Sequence, residues 1–548
     1  MKSQTKIYDV AIIGSGISGS SLACILAKQG LSVIIFEQNS HPRFAIGESM
    51  ILESSEMMRS LAKFYDVPEI NYYSSVKTAT KTVNSYGVKK HFGFVLHQEG
   101  EVATDDDVLQ AIIPDKPYGH EIHIFRQDSD YLLLQAAIKY GCDVHQKTTV
   151  EDITLQKNKV IIKTPKENFQ AKFVVDGGNF GSIIRKKLNL HSKEMRTQAR
   201  GLFTYMINVG EVEDGMELSH HLPWRMNQGT LHNLFDGGWS WVIPFNNHRN
   251  SKNNLVSVGL LLDPDKYPYN KNISPEQEFK NFLTKYPSIQ KQFANYRTVM
   301  TWVNSPSAIQ FKSTQSMGDR WALLASSNGF VDPLYSKGIY YSMVSVSILA
   351  GNIIEACHKN TNLEPYQKAY NKVMLDYVTS NEDLVYYSYK SFASKKMYRL
   401  YSVIWLIGAY NEYLKLTTNR AFSSNYKQFN KKLLQLRMVG GGFKEFDTLE
   451  NKIHKIMDKY IGGENSPEKV EHLFKEGSAI ILDTNWVPQV FKDLLQGKNH
   501  LPKRKIRLDL FNPNSGFMKT ASYKKHFFED KTMLDVIKFF AQESLNNK

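Results

Sequence analysis

Apolar and polar positions follow three different rhythms along this chain, and each rhythm predicts a different kind of element. Residues 8–14, YDVAIIG, form a short apolar run suited to a strand buried on both faces. Residues 18–30, SGSSLACILAKQG, repeat at helical spacing and stop at Gly30, and residues 31–37, LSVIIFE, are a second buried run. Together they make a βαβ unit. Residues 128–140, DSDYLLLQAAIKY, predict a helix, and strand-like pieces fill 143–176. Alternating polarity takes over in GLFTYMINVG (201–210), WSWVIPF (239–245) and LVSVGLLL (255–262), which predicts an antiparallel sheet. Beyond residue 340 the spacing is mostly helical. The expected organisation is an α/β frame over 1–345, with the antiparallel sheet inserted at 195–320, and a helical region over 346–548.

Two of the seven tryptophans, Trp239 and Trp241, stand one residue apart and are followed by Pro244. Strand alternation puts both indoles on one face, where they either fill a core or wall a cavity.

Composition narrows the class. With 42% hydrophobic and 22% charged residues, the 548-residue chain reads as globular and long enough for two or three domains. Its three cysteines, Cys24, Cys142 and Cys357, are far apart, which excludes a disulfide framework and a zinc spacing. The start MKSQTKIYDVAIIG is polar and runs straight into a strand, so no signal peptide is expected, and the longest apolar stretch, YSVIWLIGAY (401–410), is too short for a bilayer. A cytoplasmic protein with no membrane span is expected. The charge of +14 is spread out, and its one dense run, PKRKIR (502–507), reads as a solvated loop, so no nucleic-acid partner is expected.

Chemistry enters with GSGISG. Gly14, Gly16 and Gly19 follow the first strand in G-x-G-x-x-G spacing at the mouth of the helix. There they allow a tight turn, approach of a pyrophosphate and close helix–strand packing. Glu37, at the end of the second strand, stands where a carboxylate can hold a ribose hydroxyl. Further on come HPRFAIGES (41–49), Arg126 just before a helix, the Asp176-Gly pair of FVVDGGNFG, and GFVDPLYSKGIYYSM (329–343). Arg126 could meet a phosphate or a carbonyl-rich ring edge. No second glycine fingerprint for a nicotinamide cofactor is present, since GGGFKE (440–445) lacks a preceding strand.

These segments, in this order, resemble the FAD-binding elements of the para-hydroxybenzoate hydroxylase-like flavoprotein monooxygenases. Within them, WSWVIP (239–244), RFAIGES (43–49) and DPLYSKG (332–338) resemble the W-x-W-x-I-P, R-F-x-I-G-E-S and D-P-L-F-S-x-G motifs of the flavin-dependent halogenases. The resemblance implies a Rossmann-type FAD-binding domain, an inserted antiparallel substrate domain and a helical C-terminal region. It implies FAD as cofactor, reduced to FADH2 by a separate reductase, with O2 and chloride or bromide as co-substrates. The product of that half-reaction is hypohalous acid, which travels to an organic substrate beyond the sheet. By the same resemblance Arg43, Gly47, Glu48, Ser49, Arg126, Asp176, Ser326, Asp332, Pro333 and Ile339 join Gly14, Gly16, Gly19 and Glu37 at the cofactor. Trp239, Trp241 and Pro244 form the partition, and Ser336, Lys337 and Gly338 form the halide turn.

The family needs a lysine at the far end of the tunnel, in a K-x-G-x-x-F context. GVKKHFGF (87–94) matches with Lys89, five before Phe94 and with His91 where the family has Gly; Lys90 is the alternative, since only one of two neighbours can face the tunnel. Two positions depart from the pattern. Ser326 stands where the superfamily has Asp on the ribityl chain, and Tyr335 stands where tryptophan halogenases have Glu. Tyr335 favours an electron-rich phenolic substrate, polyketide-derived and either free or carrier-tethered. An aromatic hydroxylase and a flavin-binding scaffold without catalysis are the alternative readings.

Overall fold

The computed structural model describes residues 6–115, 117–192, 195–499, 520–529 and 531–546; the PKRKIR run lies outside them. The βαβ unit is present as strand Ile7–Ile13, helix Ile17–Lys28 and strand Val33–Glu37. Both strands are apolar runs because both faces are covered. Ile7–Ile13 is flanked in parallel by Val33–Glu37 on one side and Asn168–Asp176 on the other. Asp143–Gln146 extends the sheet beyond Val33–Glu37, and Trp321–Leu323 also joins Asn168–Asp176 in parallel. The helix expected at 128–140 forms as Arg126–Lys139.

The second sheet carries the two tryptophans. Strand Gly238–Pro244 lies between Thr230–Phe235 and Val256–Leu262, antiparallel to both, and Arg200–Ile207 follows beyond. The sheet is wider than alternation between 195 and 320 predicts. His91–Leu96 pairs parallel with Thr230–Phe235, and Val108–Ile112 forms the strand beyond it. His91–Leu96 is buried on both faces except at Phe92, so it shows no alternation that would mark it as part of this sheet. Trp239, Trp241 and Ile243 face one core, while Val242 faces a separate core with Leu231 and Val258.

The tryptophan-bearing face is covered by helices from the second half of the chain, chiefly Lys337–Lys359, Glu364–Ser391 and Lys395–Ala421. Ser394 caps the last of these by accepting the Met397 N–H. Among the described residues, Lys337–Lys359 is the one helix long and apolar enough to cross a membrane, and 89% of its apolar window is buried inside the protein.

Candidate active site

At the first strand's end the chain turns through Gly14 at φ +93°, where a Cβ would sit 2.8 Å from the Gly177 oxygen. A Cβ on Gly19 would lie 2.0 Å from the Gly14 oxygen, so helix and strand can pack this closely only through glycine. Gly16 opens helix Ile17–Lys28 and offers no capping side chain, which leaves its first N–H groups facing outward. Around that end stand two guanidinium groups and a carboxylate: a Cβ on Gly16 would be 3.6 Å from Arg43 Nη2, 3.6 Å from Asp130 Oδ2 and 3.9 Å from Arg126 Nη2. Buried Arg43 Nε and His41 Nδ1 have no hydrogen-bond partner among the described residues. An uncapped helix N-terminus, nearby cations and unpartnered polar atoms fit a dinucleotide pyrophosphate.

Glu37 anchors this cradle. It accepts the Ser15 N–H (3.1 Å) and hydroxyl (2.9 Å), the Asn39 N–H (3.0 Å) and Arg43 Nη2 (3.0 Å). Burial pushes its carboxyl upward, but Arg43 and these donors outweigh it and hold the group below the ordinary range. Arg126 binds both oxygens of Asp130 at 2.9 Å and donates to the Ile46 and Gly47 carbonyls, which fixes the loop that carries Glu48 and Ser49. It meets carbonyl groups of its own chain. Asp176 likewise holds its own loop, accepting from Gly178 N (2.8 Å), Ser182 Oγ (2.7 Å) and Ile184 N (3.0 Å). Ser326 sits half-buried in the short helix Ala325–Asn328, beside Ser327, whose hydroxyl accepts the Asn179 N–H at 2.9 Å.

The turn from Asp332 joins this cradle to the tryptophan sheet. Asp332 accepts from Trp239 Nε1 (3.1 Å), Leu334 N (2.9 Å) and the Tyr389 hydroxyl (2.8 Å). The two indoles lie side by side with ring centroids 5.7 Å apart, both buried, and Trp241 Nε1 donates to Ser257. Pro333, half-buried, follows Asp332, and Ser336 adopts the left-handed conformation (φ 56°) just before helix Lys337–Lys359. A Cβ on Gly338 would meet nothing within 4 Å, so space is open above the first turn of that helix, while Ile339 points inward.

Lys337 opens that helix, and its ammonium is buried between Glu53 Oε1 and Glu412 Oε2, each 2.7 Å away. The two carboxylates outweigh its burial and raise its pKa above the ordinary lysine value. The Ser336 hydroxyl and the backbone N–H groups of Lys337 and Gly338 remain for an anion there.

Lys89 is fully buried, its Nζ donates to Ser49 Oγ (2.8 Å) and the Met50 oxygen (2.9 Å), and it stands 3.4 Å from the Phe92 ring centroid. Burial pulls its pKa well below the usual lysine value, against the pull of Glu121 and Glu53. Lys90 is half-buried and lies over the Trp224 ring, 4.1 Å from its centroid. The pair therefore splits as alternation requires. Ser49 also contacts Thr230 Oγ1 (2.7 Å), which meets His123 Nε2 (3.0 Å), and His123 Nδ1 meets the Pro244 carbonyl (2.9 Å). Phe94, Tyr335 and Trp405 complete an aromatic wall, with Tyr335 stacked 4.7 Å from Trp405 and its hydroxyl on Ser388.

Sequence reasoning missed Glu53, Glu121 and Glu412. Glu121 had a local signal: it is a charged residue in EIHIF, an otherwise apolar run leading into the Arg126 helix. Glu48, whose Oε1 accepts the Tyr205 hydroxyl at 2.6 Å, has its carboxyl pushed up to about 7 by burial, from an ordinary 4.5. A raised carboxyl stabilises the fold below its unfolded pKa, and that stability is lost as pH rises through the folded value. Glu48→Gln is expected to flatten the decline in unfolding free energy between pH 4.5 and about 7, read from urea unfolding at each pH.

Comparison with known proteins places this geometry. Residues 12–48 match the family model of the NAD(P)-binding Rossmann-like domain. The chain is 37% identical over 484 residues to monodechloroaminopyrrolnitrin halogenase PrnC of Pseudomonas fluorescens, covering 82% of this chain and 85% of that protein. It is 35% identical over 409 residues to tetracycline 7-halogenase of Kitasatospora aureofaciens, covering 73% and 72%. Among solved structures, halogenase PltM in complex with phloroglucinol and FAD matches with a TM-score of 0.83 and 30% identity, covering 90% of this chain and 99% of that one.

Proposed function

Since the chain belongs to the flavin-dependent halogenases, we propose that it chlorinates or brominates an electron-rich phenol of polyketide type, with Lys89 presenting hypohalous acid to the ring. The cofactor is FAD, and reduced FAD with O2 supplies the oxidising power that converts halide to hypohalous acid. The cradle that would hold it is Gly14, Gly16, Glu37 and Arg43, with Arg126 fixing the Gly47–Ser49 loop. Ser336 and the N–H groups of Lys337 and Gly338 would face the halide, with Asp332 on the cofactor side.

One observation carries the proposal: a completely buried ammonium, Lys89, held by Ser49 and Met50 beside an aromatic wall. An ammonium can donate a proton to the oxygen of hypohalous acid, and the dry site strengthens that hydrogen bond. The tryptophans keep the phenol from the flavin, so halide is the species oxidised. Tyr335, Trp405 and Phe94 offer ring faces and no carboxylate, which suits a phenol activated by its own oxygen. The phloroglucinol complex of the related structure supports the same substrate class. Reduced FAD comes from a separate reductase, consistent with the single dinucleotide fingerprint.

The test supplies FADH2 through an unrelated flavin reductase, with O2, bromide or chloride, and a panel of alkylresorcinols and acylphloroglucinols. Halogenated phenols in the mass spectra are the expected result. A product that gains oxygen and no halogen overturns the proposal.

A further inference from the structure

Strand Glu121–His123 pairs antiparallel with Gly87–Lys89, and the register sets Glu121 directly opposite Lys89. Directly opposed residues of such a pair share one face with their Cβ atoms about 4.5–5.5 Å apart. Both side chains are buried. Behind Glu121, helix Leu52–Tyr65 contributes Ser55, whose hydroxyl donates to Glu121 Oε2.

The charged and titratable neighbours of Lys89 have distinct commitments. Glu53, from the same helix, is tied to Lys337 at 2.7 Å. Arg59 acts on Glu121 from a distance and is itself bound to Glu56 and to the Ser74 carbonyl, each at 3.1 Å. Lys90, next in the chain, lies over Trp224. His91, His123 and His232 are held neutral by burial, with pKa values lowered to about 4, 3 and 3. Glu121 differs from Glu53: among the described residues no ion pair at contact distance involves it. It is therefore the carboxyl opposite Lys89 that is free of a contact ion pair, with Arg59 and Lys89 both acting on it from beyond contact distance. Burial pushes it up to about 7, with Arg59, Ser55 and Lys89 pulling it back.

We propose that Glu121 is a positioning residue for halogen transfer: its carboxylate, set opposite by the strand register, keeps the buried Lys89 as an ammonium. A dry lysine without a facing carboxylate loses its proton, and a neutral amine cannot protonate the departing oxygen. In the step itself, the ring π pair forms the carbon–halogen bond while the halogen–oxygen bond breaks onto oxygen. That oxygen takes a proton from Lys89 and leaves as water. The ring proton passes to the Lys89 amine, which restores the ammonium. The sum is arene plus hypohalous acid giving haloarene plus water. Glu121 touches neither substrate nor oxidant in this scheme; it keeps the ammonium available for the next turnover.

The proposal rests on the assignment of Lys89, so Lys89→Ala is measured alongside. Glu121→Gln is expected to lose about 100-fold or more of halogenation at neutral pH, the scale of a lost general acid. Its pH–rate profile should move to lower pH, where Lys89 regains its proton. FAD binding, followed by flavin fluorescence, should be unchanged. Ser55→Ala, a milder change, should shift the profile while the protein stays folded, and Glu121→Asp should restore part of the rate. A Glu121→Gln or Ser55→Ala enzyme with the wild-type pH profile overturns the role of Glu121. An active Lys89→Ala enzyme overturns the Lys89 assignment instead.

Discussion

Lys89→Ala is expected to lower halogen transfer by about 10²–10⁴-fold, the range of a positioned general acid, while FAD still binds. The side chain lies wholly inside, with its ammonium fixed by Ser49 and Met50, so no solvent species can take its place. Truncation removes the only donor on that strand that points into the aromatic compartment, because Lys90 projects the other way, over Trp224. Lys90→Ala should therefore leave the rate close to wild type. Product yield per FADH2 by mass spectrometry, set against flavin affinity, checks both variants. A Lys89→Ala enzyme that halogenates at the wild-type rate would rule out the assignment.

The second large effect concerns Lys337. Lys337→Met leaves Glu53 and Glu412 facing each other without the cation between them. Removing one partner of a buried ion pair costs about 3–5 kcal/mol, and here two carboxylates lose their partner at once. Unfolding in urea should read a loss of that order. The accompanying change in pH dependence has a definite sign. Without the ammonium the Glu412 carboxyl, already raised by burial, becomes harder to ionise, so the variant should regain stability as pH falls and it protonates. Lys337→Arg, which keeps the charge, should lose less. A Lys337→Met protein as stable as wild type at neutral pH would show that the two ion pairs contribute no net stability.

The cofactor cradle was legible because its chemistry is local. Gly14, Gly16, Gly19 and Glu37 lie within one βαβ unit, and strand and helix periodicity place them without any distant contact. The tryptophan strand was legible too, since alternation alone sets Trp239 and Trp241 on one face. The choice between Lys89 and Lys90 was narrowed to one by alternation, but which of them faces inward depended on pairing with Glu121–His123, which no local pattern encodes. Lys337 kept its partners hidden for the same reason. Its position at a helix start is local information, whereas its partners lie 284 and 75 residues away in the chain. The sheet's extra strands were missed because a strand buried on both faces gives no alternating signal.

The parallel pairing of His91–Leu96 with Thr230–Phe235 has a further consequence, for how the protein is made. His232 Nδ1 meets the Gly93 carbonyl, a contact spanning 139 residues. During synthesis strand His91–Leu96 must therefore wait, with one edge unpaired, until the chain past residue 230 has left the ribosome. The helices that cover the tryptophan-bearing face come later still. The nucleotide unit at the N-terminus can fold early, whereas the reaction compartment closes only near the end of translation. Slow elongation or chaperone shortage should thus raise aggregation of the nascent chain between these two stages, before any halogenation site exists.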